Sequence, residues 1–158
     1  MHALRTMTAQ EIIKALNLAP HPEGGWFRET HRATVDGSGR SDTLSRPACT
    51  AIYFLIERSQ SNRWHKVDAV ELWLWHAGSD LELSVASGNE GALSVKVTKL
   101  GTSIDRSIEP QGIVPARVWQ SVRTLGEWTL VSCVVAPGFE WSGFTLAPEG
   151  WTPVSTST

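Results

Sequence analysis

The stretch "RWHKVDAVELWLWHAG" (63–78) sets His65 six positions before Glu71 and follows them with Trp73 and Trp75. An imidazole and a carboxyl group together can move protons or begin a metal site. Side chains alternate along a strand, so Glu71, Trp73 and Trp75 share one face and Leu72, Leu74 and His76 the other. His65 precedes a turn expected around Lys66 to Asp68, so alternation does not fix its direction relative to Glu71. If both point inward, burial raises the Glu71 pKa and a nearby imidazolium lowers it. Such a pair can act as general acid and base. The alternative for His65 is a hydrogen-bonded pocket histidine without chemistry.

A transition metal usually takes three or four protein ligands. His65 and Glu71 supply two, and His76 has the wrong parity. Gln120 adds at best a weak amide oxygen. No cofactor is therefore expected; a divalent metal, were one bound, would have His65, Glu71 and Gln120. The chain has eight tryptophans. Packing accounts for most of them. Trp73, Trp75 and Trp119, however, neighbour the polar candidates, and flat aromatic walls with few polar anchors describe a small-molecule pocket.

"HPEGGWFRET" (21–30) is the other compact stretch. Gly24 and Gly25 permit positive φ and a close backbone approach. A phosphate loop would lead into a helix, but a strand follows. The preferred reading is a tight turn into an edge strand whose charges, Arg28 and Glu29 among them, pair locally or with a partner subunit.

The elements that must hold these residues are almost all strands. "TAQEIIKALNL" opens with Thr8 and has Glu11 three residues on, a capping box for one short helix over about 8–18 that Pro20 and Pro22 end. From residue 25 to about 150, short strands alternate with turns at about ten-residue intervals, the spacing of a sandwich or barrel. The predicted strands are "WFRETHR", "TAIYFLIE", "VELWLWHA", "DLELSVAS", "LSVKVTKL", "ARVWQSVR", "EWTLVSCVVA" and "GFTLA". "SGNEG" (87–91) reads as a hairpin turn and 34–46 as a mobile, glycine-rich loop. The tail "VSTST" is expected to fray. "AIYFLI" and "TLVSCVVA" are apolar on both faces and so lie between two layers.

Composition narrows the function classes. The 158 residues carry a net charge of −2, with 41% hydrophobic and 19% charged residues. That fits one globular domain. The arginines are scattered, so the basic patch of a nucleic-acid binder is missing. No apolar run reaches membrane-span length, and the first ten residues lack a signal-peptide core. The expectation is a cytoplasmic protein. Cys49 and Cys133 form no CxxC motif and read as small buried hydrophobes.

In this order and spacing, "HPEGGWFRET", "AIYFLIE", "WHKVDAVELW", "VPARVWQSV" and "LVSCVVAPGFEWSGFTLAPE" resemble the cupin superfamily, most closely its small cupin-5 group. The first cupin motif resembles this chain at His65, Glu71 and Gly78, with one extra residue between the first two. Arg63 stands where metal-binding cupins place another histidine. The second motif corresponds to Pro115–Gln120, with Arg117 replacing its glycine and Gln120 its ligand histidine. The chain departs from cupin-5 relatives at Leu74, commonly histidine, and at Gly143, commonly acidic.

The resemblance implies an all-β, double-stranded β-helix (a cupin jelly-roll barrel) with one short N-terminal helix. It also implies a homodimer with a pocket in the barrel mouth. The leading expectation is binding of a sugar-like or aromatic small molecule, with Arg63, Trp73, Trp75, Trp119 and Gln120 around it. The alternatives are a metal-independent epimerase or isomerase with His65 as base and Glu71 orienting it, and a metal-dependent dioxygenase or isomerase.

Overall fold

The computed structural model describes residues 7–36, 38–39, 46–89 and 92–153. Most of the expected 34–46 loop, the tip of the 87–91 turn and the tail from 154 lie outside the described residues.

Helix α1 (Ala9–Leu16) has the expected capping box: the Thr8 hydroxyl accepts from the Glu11 N–H, and the Glu11 carboxylate accepts from the Thr8 N–H. Pro20 does not end it. Asn17 turns into the left-handed region at φ 52° and closes the last turn, and Leu18 N–H returns to Ile13 O. Pro20 instead belongs to a two-residue strand, β1 (Ala19–Pro20).

Ten further strands follow: β2 (Trp26–Arg32), β3 (Thr50–Glu57), β4 (His65–Val67), β5 (Val70–Gly78), β6 (Leu81–Asn89), β7 (Ala92–Leu100), β8 (Gln111–Val114), β9 (Trp119–Thr124), β10 (Trp128–Ala136) and β11 (Phe144–Leu146). They form two antiparallel sheets, ordered β1-β2-β3-β10-β5-β8 and β11-β4-β9-β6-β7. Strands β1, β4 and β8 are additional to the sequence expectation; each is too short for an alternation pattern to reveal. The predicted strand 116–123 starts only at Trp119. Ala116 and Arg117 form a turn, with Arg117 at φ 64° and its N–H on Val67 O. The left-handed backbone that the cupin glycine would supply is thus kept under an arginine.

The two-sided apolar strands lie where two layers meet. On the inner face, Phe54 and Ile56 of β3 and Val131 and Cys133 of β10 join Trp73, Leu81, Leu83, Val114 and Val122 in the main core. On the outer face, Leu55, flanked by Tyr53, Trp128 and Leu130, packs against Ala9, Ile12 and Leu18 of the helical segment. The helix is therefore a lid on the central strands, which removes their outward apolar side chains from water. Two bulges adjust the strands around the site. One, at β10 Leu130/Val131, skips His76 of β5 in the pairing, and the other leaves Thr30 of β2 unpaired. The second shifts the parity of β2, so Phe27, Glu29 and Arg32 all line the same cavity.

Candidate functional site

The turn before β2 places the first polar residues. Gly24 and Gly25 have φ of 98° and 86°, and a Cβ on Gly24 would lie 2.1 Å from Ser61 O. Only glycine allows the backbone to close on residues 61–63 in this way. The closure is sealed by Arg63 N–H to Glu23 O at 2.7 Å. It carries the Glu23 side chain inward, where it is 5% exposed. Asn62 Nδ2 donates to Glu23 Oε1 at 3.1 Å, and Asn62 Oδ1 accepts from Val122 N–H.

Glu23 Oε2 lies 3.1 Å from His65 Nε2. His65 Nδ1 lies 2.9 Å from Arg63 O, a contact that requires the Nδ1 proton. In the neutral ring Nε2 is then an acceptor, and the hydrogen between the two side chains belongs to the carboxyl group. The electrostatics agree. Burial lowers the His65 pKa to about 4 against the help of the Arg63 carbonyl, while burial and then the Glu71 charge push Glu23 well above its ordinary value. His21 stands beside them; its Nδ1 accepts from Glu23 N–H at 3.3 Å, and burial lowers its pKa to about 4.

Glu71 comes from β5, in the sheet that faces the β4 strand of His65. Burial lifts its pKa to about 7, opposed by hydrogen bonds from Gln120 and Cys133. Gln120 pairs directly with His65 across β9 and β4. Trp73 Nε1–H can only donate, and it does so to Gln120 Oε1 at 2.8 Å. This fixes the amide: its nitrogen donates to Glu71 Oε2 at 2.5 Å. The Gln120 oxygen faces Trp73 and is not available as a ligand. The donor set His65, Glu71 and Gln120 therefore does not fit a metal, because the amide is turned and the His65 Nε2 lone pair is directed at Glu23. Among the described residues no group of three or more histidine, cysteine, aspartate or glutamate side chains is arranged to hold a metal ion.

His21, Glu23, His65, Glu71 and Cys133 line a cavity of about 110 Å³ between the sheets. Its apolar walls include Phe27, Phe139, Trp141 and Phe144, and Glu29 and Arg32 also border it. Phe139, Trp141 and Phe144 pack edge to face at 4.9 to 5.9 Å. Trp141, 54% exposed, also lies against the His21 ring at 5.8 Å.

The other sequence candidates lie elsewhere. Trp73 is wholly buried beneath Glu71 as the support of Gln120, and Trp75 packs on the core with its Nε1–H on Ser79 O. Arg63 donates to Ala147 O, and its Nε is a buried nitrogen without a partner. Trp119 has the opposite parity to Gln120 and lies outside the cavity, against Trp151 at 4.8 Å and under Lys66 at 4.7 Å. His76 bonds Ser132 Oγ on the outer face. At Gly143 a Cβ would sit 2.3 Å from Asp68 Oδ1, so the Asp68 carboxylate, held by Arg46, fills the space an acidic residue would need.

Sequence reasoning did not select His21, Glu23, Asn62, Cys133 or the 139–144 aromatics. The signal for Glu23 was the Gly24–Gly25 pair directly behind it. For the wall it was three aromatic residues within "FEWSGF", the turn that leads into the predicted strand "GFTLA". Asn62 had no local signal.

Two facing antiparallel sheets with a polar-ended cavity between them define a double-stranded β-helix protein with a pocket. The chain belongs to the family described as Cupin superfamily (DUF985), whose sequence profile matches residues 10–147. It is 26% identical over 148 residues to the uncharacterized protein YML079W of Saccharomyces cerevisiae, covering 87% of this chain and 74% of that one. The solved structure of protein SO0799 from Shewanella oneidensis matches with a TM-score of 0.81 and 29% identity, covering 90% of this chain and 85% of the other. A hypothetical protein from Leishmania major matches with a TM-score of 0.76 and 28% identity, covering 88% and 86%. No helix among the described residues is long and apolar enough to cross a membrane.

Proposed function

We propose that the protein binds a small molecule in the cavity between its two sheets, with Glu23, His65 and Glu71 as polar anchors and the 139–144 aromatics as its wall. The observation that carries this reading is one aromatic-walled cavity in which a few convergent polar groups have strongly displaced pKa values. At about 110 Å³ it is of the order of the ~150 Å³ engineered cavity that takes benzene. It therefore suits a small ligand, or the inserted end of a larger one. A thermal-shift screen over small sugars, sugar acids, amines and aromatic metabolites tests it. A binder raises the melting temperature of the native protein, and Trp141→Ala, a change at an exposed position, reduces that shift. No shift with any compound, or one indifferent to Trp141→Ala, would refute the cavity.

The Glu23–His65 contact favours a second reading, a metal-independent epimerase or isomerase. Because the His65 Nε2 lone pair is engaged, Glu71 suits the base, and the carboxylic acid it becomes returns the proton to the product carbon. For a compound that binds, exchange of a carbon-bound proton with deuterated water should disappear in Glu71→Gln while binding persists. Elemental analysis of the purified protein should give far less than one equivalent of transition metal; near one equivalent, lost in His65→Ala, would overturn the metal-free reading.

A further inference from the structure

The charged groups around the cavity are unbalanced. Glu23 and Glu71 occupy its inner part, and Glu29 borders it with Arg32. Arg32 is the one lysine or arginine among the described lining residues, and it is engaged: Nε and Nη2 donate to both oxygens of Glu29 at 3.0 and 2.8 Å, and Nη2 also to Phe139 O. The two imidazoles bring no fixed positive charge, since His21 Nδ1 accepts a backbone N–H and His65 Nε2 faces Glu23. Two buried carboxyl groups thus face the cavity without a cation of the protein's own. Independently, the apolar wall is aromatic rather than aliphatic on one side, with Phe27, Phe139, Trp141 and Phe144.

A carboxylate ligand would meet the like charge of Glu71 at the inner end, and a neutral alcohol would gain no charge interaction. An ammonium group is attracted by the carboxyl oxygens through charge-assisted hydrogen bonds, and the aromatic wall gives its carbon skeleton an apolar surface. We propose that the cavity takes a small primary amine, bound as its ammonium ion, with its nitrogen toward Glu71 and Glu23 and its carbon skeleton against the 139–144 aromatics. This rests on the cavity being the ligand site.

Three near-isosteric probes, benzylamine, benzyl alcohol and benzoate, separate the possibilities by calorimetric titration of the native protein and of Glu71→Gln at neutral pH. Benzylamine should bind about tenfold or more tightly than benzyl alcohol, with benzoate weakest. Glu71→Gln should erase most of that preference. If Glu71→Gln does not fold, titration of the native protein at pH 6 and pH 8 replaces it: the benzylamine preference should grow as Glu71 ionises. Tighter binding of benzyl alcohol or benzoate would overturn the amine assignment while leaving the cavity reading intact. So would a benzylamine preference unchanged in Glu71→Gln or, where pH replaces it, unchanged between the two pH values. If all three probes leave the native protein unaltered in titration and melting, the amine assignment falls and the cavity reading falls with it.

Discussion

His65 Nε2 lies 3.1 Å from Glu23 Oε2, and the two side chains are 2% and 6% exposed. At neutral pH such a contact in water would be an imidazole beside a carboxylate. Here burial shifts the two in opposite directions, which favours the neutral pair sharing one proton. The contact joins the turn before β2 to β4, segments with no local relation in the chain. It also gives the HPEGG segment, the tight turn into β2, a place in the site.

These shifts set a pH dependence of stability. Folded His21 and His65 titrate near 4 instead of 6.5. Between those values the unfolded chain binds more protons, so both add stability as pH rises. Folded Glu71 titrates near 7 and Glu23 above its ordinary 4.5. There the folded chain binds more protons, so stability present below 4.5 is lost as pH rises. The two effects oppose each other up to about 6.5, above which only the carboxyl loss continues. The melting temperature should be nearly level from about 4.5 to 6.5 and fall above that, less steeply in Glu71→Gln. A melting temperature that climbs above neutrality would contradict the assignment.

Gly24→Ala should be costly. The left-handed backbone alone costs about 1–2 kcal/mol for a residue with a Cβ, and the Ser61 carbonyl at 2.1 Å cannot be avoided without moving backbone. The turn should open and withdraw Glu23 from His65. Urea denaturation should show a loss of more than about 2 kcal/mol, and the high-pH fall in melting temperature should shrink. A change below about 0.5 kcal/mol would mean that the close approach is not required.

Trp73→Phe tests the relay from indole to amide to carboxyl. It removes the donor to Gln120 Oε1 and leaves a buried acceptor unpaired, at a cost of about 1–3 kcal/mol beyond the lost indole packing. In a Gln120→Leu background that part of the cost should vanish, since neither partner remains. Denaturant midpoints of the four proteins give the coupling. Purely additive losses would show that the hydrogen bond contributes nothing.

Much of the scaffold is legible from short-range chemistry. The capping box of α1 is four residues long, and the limits of β2 and β3 follow from β-forming runs between turn residues. Apolar faces on both sides of β3 and β10 imply two covering layers, and the barrel core and the helix supply them. Glu71 is readable as a polar residue in an otherwise apolar, aromatic run, and His65 as the imidazole shortly before it. What alternation cannot convey is direction after a turn. Trp119 and Gln120 are adjacent, yet one lies outside the cavity and the other beneath it, because the turn at Arg117 fixes which of the two enters.

The tertiary structure decided the site itself. Glu23 meets His65 only because Gly24 lets two distant turns touch, and the Gln120 amide is oriented by an indole from another sheet. Local sequence determined which residues are extended, helical or turning, since those preferences act within a few positions. Which polar groups share a proton, and which aromatic side chains wall the cavity, depend on contacts between segments far apart in the chain. Those contacts exist only once both sheets have closed.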